Sequence, residues 1–328
     1  MAFFVEEDEE GFADVSGPTK SRFRRRPGVS VGMTDIPESQ FRSLCVLELL
    51  RGAKVYEFDE FYHIKNALIR YDHRDGYLNY GLWDDGDRTV NPSAALVHHV
   101  AAKLQLGPTD VLLNVGSGMG QPDIDIAQAF NVKRIIGINC NAAQVSCANR
   151  MFADQRLDDV IHHRVCDALE MENQLSGLGI SAAIMVEALA EMPSPERVLA
   201  QVYSLLPVGG RISLCDIVTT PTDQKSSTKR LLGRGLMKST TMLYGDHWER
   251  FEFYQELLTE VGFHSVQSTR IGDQVYSPMY QYARRQRQKL RAIKAPRVAK
   301  MFAYLNLRGL AALHAWRQID YAVYWGQK

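Results

Sequence analysis

The 328-residue chain has no apolar run near the ~18 residues that a membrane-spanning helix needs. Its opening, Met1-Ala-Phe-Phe-Val-Glu-Glu-Asp-Glu-Glu10, lacks the apolar core of a secretory signal. Neither sign of charge is in excess, since 38 Lys and Arg balance 38 Asp and Glu. That excludes the basic surplus expected of a nucleic-acid-binding domain. Cysteine is scarce: five residues, Cys45, Cys140, Cys147, Cys166 and Cys215, form no C-x-x-C pair. An odd, dispersed set reads as reduced thiols of a cytoplasmic protein, not as a disulfide frame or zinc site. No carboxylate–histidine group has ligand spacing, so no metal is demanded. Internal repeats and a recognisable catalytic triad are also missing.

What remains is an ordinary globular composition, 45% hydrophobic and 23% charged. Residues 1–37 set an acidic run (Glu6–Glu10) before a basic one (Arg22–Arg26), and read as a solvated, disordered or extended tail. Residues 38–92 carry aromatic stripes at helical spacing, including Phe58, Phe61, Tyr62, Leu68 and Tyr71, and read as a helical lid. From 93 to 328 helices and strands alternate. Ser93 is the expected cap of a helix reaching Leu104. Strands are expected at 110–115, 134–138, 160–165, 181–186 and 210–217, and helices at about 121–130, 141–153 and 194–206. A helix over 247–261 ends at Gly262, a strand covers 264–271, and a closing strand covers 320–326. Two segments interrupt the pattern, at about 219–246 and 274–315, the latter a long basic helical stretch broken at Pro296. The alternation predicts an α/β fold with a doubly wound, mostly parallel sheet.

The most informative segment is Leu112-Leu-Asn-Val-Gly-Ser-Gly-Met-Gly120. An apolar strand there runs into a glycine turn that opens a helix, the way α/β proteins build nucleotide sites. Gly116, Gly118 and Gly120 let the backbone turn tightly and a ligand come close. The dinucleotide spacing would need a glycine at 121, where the chain has Gln121. An adenosine ligand without a pyrophosphate is therefore preferred, and S-adenosylmethionine (SAM) is the candidate. A structural turn is the alternative reading of the glycines alone.

Four segments together resemble the class I SAM-dependent methyltransferases, in the branch of sterol, tocopherol and isoprenoid or other natural-product enzymes. Leu112–Gly120 is similar to the family's first motif. Gly137-Ile-Asn-Cys-Asn-Ala-Ala-Gln144 is similar to its second-strand segment. Cys166-Asp167-Ala168 stands where the family places an acid beside adenine, and Leu206-Pro-Val-Gly-Gly-Arg211 resembles the turn before strand five. The resemblance implies a seven-stranded Rossmann-like sheet with antiparallel last strands. It also implies SAM as cofactor and S-adenosylhomocysteine (SAH) as product. The cofactor residues it implies are Asn114, Gly116, Ser117, Gly118, Gly120, Asn139, Cys140, Gln144, Asp167, Ala168 and Glu187. Asn139 departs from the usual acid, leaving a carbonyl for the ribose. Asp167 has a turn cap as its alternative role. Tyr77-Leu-Asn-Tyr-Gly-Leu-Trp83 resembles the segment before the core, so Tyr80 and Trp83 are expected to close over SAM, or to form a buried aromatic cluster.

Glu187, at the end of the strand over 181–186, and Glu191 one turn on are candidate catalytic carboxylates, with His247 a third candidate. Many relatives carry a histidine where Glu191 stands. For each carboxylate the bland reading is a solvated loop residue or cap. His63 and His73 are weaker candidates, and His98, His99, His162 and His163 read as structural. Tyr62, Tyr71, Tyr77, Tyr244, Trp248 and Tyr276 are the candidate substrate contacts. Methyl transfer rests mainly on alignment, so one base or none suffices. Mg²⁺ enters only if the substrate carries a diphosphate. The expected partner is a small lipophilic metabolite, with C-methylation of an isoprenoid alkene preferred over O- or N-methylation. A non-catalytic SAM-binding scaffold is the reading from another class. The basic stretch Arg284–Lys300 reads as a solvated helix face, with an anionic membrane surface as its alternative. Oligomeric state stays open, a homo-oligomer included.

Overall fold

A computed structural model describes residues 76–83, 91–220, 249–291 and 297–328, all within the unit Arg42–Lys328. The tail 1–37, the lid up to residue 75 and the insertion over 221–248 lie outside the described residues, and with them Tyr62, His63, Tyr71, His73, Tyr244, His247 and Trp248. The strands are β1 (Val111–Val115), β2 (Arg134–Asn139), β3 (Ile161–Val165), β4 (Ala182–Val186), β5 (Arg211–Thr219), β6 (His264–Arg270) and β7 (Ile319–Gln327). The helices are α1 (Pro92–Ala102), α2 (Gln121–Phe130), α3 (Ala142–Asp154), α4 (Met171–Leu175), α5 (Pro195–Leu205), α6 (Phe251–Val261), α7 (Gly272–Arg285) and α8 (Arg297–Ala315). Short 3-10 turns lie at Leu189–Glu191 and Arg287–Arg291.

The strands form one seven-stranded sheet in the order β3-β2-β1-β4-β5-β7-β6. The first five are parallel, and β7 inserts antiparallel between β5 and β6. This is the doubly wound arrangement that the alternation predicts. Strand β1 is buried along its whole length, as its apolar run requires of a central parallel strand. One apolar layer packs α1, α2, α7 and α8 on one face through Leu96, Ile124, Met279 and Leu310. The other packs α4, α5 and α6 through Leu175, Leu199 and Leu258. Each such fully buried side chain contributes roughly 1.5–3 kcal/mol relative to exposure.

Local chemistry sets the element ends. Helix α1 is capped by Asn91, whose side chain accepts from the Ser93 amide at 3.0 Å, rather than by Ser93. The reason is Pro92, which takes the first helical position without needing an amide partner and moves the cap one residue upstream of it. Helix α6 begins at Phe251, not 247, because the Thr219 amide first donates to Glu249 O at 2.8 Å, extending β5. It ends at Gly262, as expected, in the left-handed region at φ +117°. The basic segment 274–315 is two helices, α7 and α8, with the 3-10 turn Arg287–Arg291 between them.

One packing constraint links the two outer parallel strands on the cofactor side. Gly137 of β2 pairs across the sheet with His163 of β3, and a Cβ at 137 would lie 2.3 Å from the imidazole. The ring therefore lies flat over a strand position that only glycine leaves empty. Gly137→Ala is expected to lower stability by ~1–3 kcal/mol through overpacking. Chemical denaturation of Gly137→Ala, His163→Ala and the double variant would check this. Losses that simply add in the double variant would refute the contact.

Candidate active site

Strand order reverses between β1 and β4, so a crevice opens at their carboxyl ends. A cavity of about 410 Å³ occupies it, within the ~300–1,000 Å³ of small-molecule sites. Its floor is the turn Gly116–Met119 with Asn114, one wall is Asn139, Cys140, Asn141 and Gln144, and the other is Val186–Ala188 with Glu191 and Met192. Gly76, Leu78 and Asn79 cover it.

The glycines have different reasons to be glycine. Gly116, at φ +77°, would place a Cβ 2.5 Å from that of Ala188. Gly120, at φ +90°, would collide with Phe152 and Ala148 of α3. It is thus a packing glycine, and it does not line the cavity. Gly118 lines the cavity, and a Cβ there would meet only the flexible tip of Leu78, at 3.3 Å.

Beneath the turn lies a buried polar chain. The Asn114 amide donates to Asp123 Oδ1 at 2.7 Å, and His163 Nε2 meets Asp123 Oδ2 at 2.5 Å. The other ring nitrogen, Nδ1, meets Ser117 Oγ at 3.2 Å. The Gly116 and Ser117 amides donate to Ile138 O at 2.9 and 3.0 Å. Asn114 and Ser117 therefore turn their side chains into this network, and the turn's backbone is held rigid from below. Asp123 escaped the sequence reading. Its signal was a carboxylate on the inward stripe of an apolar helix start.

Asn139 explains its own departure from an acid. Its side-chain NH₂ donates to Gln144 Oε1 at 2.7 Å and to Gly118 O at 3.4 Å, which no carboxylate can do. Its carbonyl accepts from the Asn141 amide at 3.2 Å and retains a second lone pair toward the cavity. Asp167 is exposed, lies off the cavity wall and accepts from the Leu169 amide at 2.9 Å, the turn-cap role. Ala168 is also off the wall.

Glu187 is the junction of the wall opposite Asn139. Its backbone sits at φ +52°, a left-handed conformation costly for a residue with a Cβ. Its Oε1 accepts from the Tyr80 amide at 2.6 Å and from the Tyr321 hydroxyl at 2.8 Å. One carboxylate thus ties the segment 76–83 to the ends of β4 and β7. The Tyr80 side chain is buried and Trp83 Nε1 donates to Tyr80 O at 2.8 Å, so these two build the aromatic cluster rather than the cavity wall. Tyr77 borders a separate cavity with His98 and Gln121. Tyr276 is fully buried, 6.2 Å from Tyr321 between ring centres, and donates to Asp320 O. Burial, reinforced by Glu187, pushes the phenols of Tyr80, Tyr276 and Tyr321 well up, so they stay neutral donors. Glu191 lines the cavity at the end of its 3-10 turn. Among the described residues no group of His, Cys, Asp and Glu has a metal-holding geometry.

Asp216 of β5 holds that turn in place by accepting from the Ala190 amide at 2.8 Å. Neither it nor Tyr321 was singled out from the sequence, although an acid inside the apolar run Ile212–Val218 is a visible anomaly.

This sheet order, with its glycine turn and an amide-lined second-strand end, defines a class I SAM-dependent methyltransferase. The chain belongs to the methyltransferase-domain family, whose model matches residues 107–275. It is 29% identical over 190 residues to 27-O-demethylrifamycin SV methyltransferase of Amycolatopsis mediterranei, covering 56% of this chain and 65% of that protein. It is 24% identical over 177 residues to a sterol 24-C-methyltransferase of Debaryomyces hansenii, covering 54% of this chain and 46% of the relative. The chain thus spans about half to two thirds of these relatives. A cyclopropane synthase structure from Mycobacterium tuberculosis shares the fold with a TM-score of 0.68 at 16% identity, covering 86% of this chain and 98% of that one.

Asp216 also gives the site a pH signature. Desolvation outweighs its two backbone hydrogen bonds, and Glu187 and Glu191 add to the effect, pushing its carboxyl up to about 8 from 3.8. The folded state thus holds a proton that the unfolded chain has released. The associated stability is present in acid and is lost as pH rises toward and through that value. Melting temperature is expected to fall from about pH 5 to about pH 9 more steeply in the native protein than in Asp216→Asn. Parallel slopes in a thermal-unfolding series would remove Asp216 as the source.

Proposed function

We propose that the chain transfers the methyl group of SAM to a small lipophilic metabolite, and that the acceptor atom is a carbon of an isoprenoid or terpenoid alkene. SAM, when bound, supplies an electrophilic methyl group on a sulfonium centre. Everything else is the work of the chain's own residues. The Gly116–Met119 backbone, braced from below by Ser117, His163 and Asp123, holds the methionine end. Asn139 and Gln144 meet the ribose edge. Leu78 and Asn79 keep water from the cleft.

The observation that carries the acceptor reading is Glu187. Fixed by two donors on one oxygen, it lines the cavity, with Tyr80, Tyr276 and Tyr321 buried behind it. A positioned carboxylate can stabilise the cation formed when a methyl group adds to an alkene, and can then remove a proton from the adjacent carbon. The relative named as a sterol 24-C-methyltransferase supports carbon as the acceptor. Oxygen is the second reading, favoured by the relative named for 27-O-demethylrifamycin SV.

Incubation with methyl-labelled SAM and prenyl diphosphates, sterols or indole terpenoids is expected to place label on carbon. Label on oxygen or nitrogen alone would refute the carbon reading, and no SAH binding by calorimetry would favour a scaffold. Glu187→Gln preserves an acceptor for Tyr80 and Tyr321. It is expected to bind SAH normally while turnover falls by about 10²–10⁴-fold. Unchanged turnover would reduce Glu187 to a structural tie.

A further inference from the structure

The chain is neutral overall, but its charge is segregated. Between Gln274 and Ile319 lie ten of its 38 Lys and Arg and none of its 38 Asp and Glu. In the structure this segment is the end of α7, the 3-10 turn Arg287–Arg291 and α8. Arg287, Arg291, Arg297 and Lys300 line a cleft of about 790 Å³. Among the described residues none of these four enters an ion pair. Among the described residues no carboxylate compensates these cations, and Arg287 lies over the Tyr304 ring at 5.4 Å.

A solvated basic face would explain the cations but not their companions. Along α8, Arg297, Met301, Leu305 and Arg308 follow one another at spacings of four, four and three, and so form one outward line. Met301 is 56% exposed and Leu305 43%. They are two of four large apolar side chains exposed among the described residues, and they lie one helical turn apart between cations. Cations with apolar side chains among them on the outer face of a helix suit the boundary of an anionic bilayer, where charge attracts and apolar groups enter the headgroup layer. Free phosphate would use the cleft, which Met301 also lines, but would leave Leu305 and the exposed part of Met301 in water.

We infer that the face formed by the Arg287–Arg291 turn and the outer line of α8 docks on a membrane surface rich in anionic phospholipid, with a headgroup phosphate in the basic cleft and Met301 and Leu305 in the headgroup layer. No helix of the described residues is long and apolar enough to cross the membrane, so the contact is peripheral.

The test is co-sedimentation of the full chain with phosphatidylcholine vesicles, with and without phosphatidylserine, at low and high salt. Pelleting is expected only with the anionic vesicles, falling as salt screens the charges. Each charge reversal, Arg291→Glu or Arg297→Glu, is expected to weaken partitioning by about fivefold or more. The double variant Met301→Ser/Leu305→Ser keeps every charge, and is expected to weaken it as well. Melting temperature and SAH affinity like those of the native protein would show that each variant is folded. No pelleting overturns the inference. So does binding that the serine variant leaves unchanged, which would indicate charge attraction alone. Release from vesicles by inorganic diphosphate or by an RNA oligonucleotide, with the serine variant again without effect, overturns it in favour of those ligands. The readout is independent of methyl transfer, so a failed acceptor assay leaves this result standing.

Discussion

The buried bond between Asp123 and His163 is the constraint from which the cofactor side of the cleft follows. Asp123 offers its two oxygens to two different elements: one to Asn114 at the end of β1, the other to His163 on β3. His163 passes the connection on to Ser117. Strand end, glycine turn, helix start and outer strand are thereby fixed relative to one another by three side-chain contacts. A glycine at 137 is the geometric condition for this, because the imidazole fills its place. Unpaired, a buried carboxylate here would be severely destabilising, so the network is all or nothing.

The acceptor side is organised differently. There the hub is Glu187, which gathers a backbone amide from the covering segment and a phenol from the last strand. Asp216, one strand over, holds the turn that carries Glu191. The two halves of the cleft thus meet along β4 and β1 but are stabilised by separate polar groups. One half can therefore be altered while the polar groups of the other stay in place.

The architecture was legible in the sequence because strand burial leaves a strong trace: Val111–Val115 is apolar but for Asn114 and Ala182–Val186 is apolar throughout, while glycines mark the turn after the first at Gly116 and the turn before β5 at Gly209. The glycine turn and strand ends that bound the cleft were legible for the same reason, since a backbone-built cleft is written in glycines and strand ends. The acceptor side was not. Tyr321 meets Glu187 across 134 residues of chain, and no local pattern announces such a pairing. Asp167 accepts the Leu169 amide and Trp83 sits in the core, and a capping aspartate or a core tryptophan reads the same as a ligand-facing one until burial is known. The roles of the three glycines were likewise indistinguishable by spacing: Gly116 and Gly120 are both required by a neighbour's side chain, and Gly116 and Gly118 line the cavity while Gly120 does not.

The left-handed backbone at Glu187 has a consequence for how this position tolerates change. A residue with a Cβ at φ +52° carries a conformational cost of order 1–3 kcal/mol, which glycine would largely avoid. Glycine would relax the main chain, but it would also remove the acceptor of the Tyr80 amide and the Tyr321 hydroxyl, buried donors whose loss of a partner costs about 1–3 kcal/mol each. Backbone angle and carboxylate are thus a matched pair: the bonds made by the side chain hold the main chain where it would not otherwise stay.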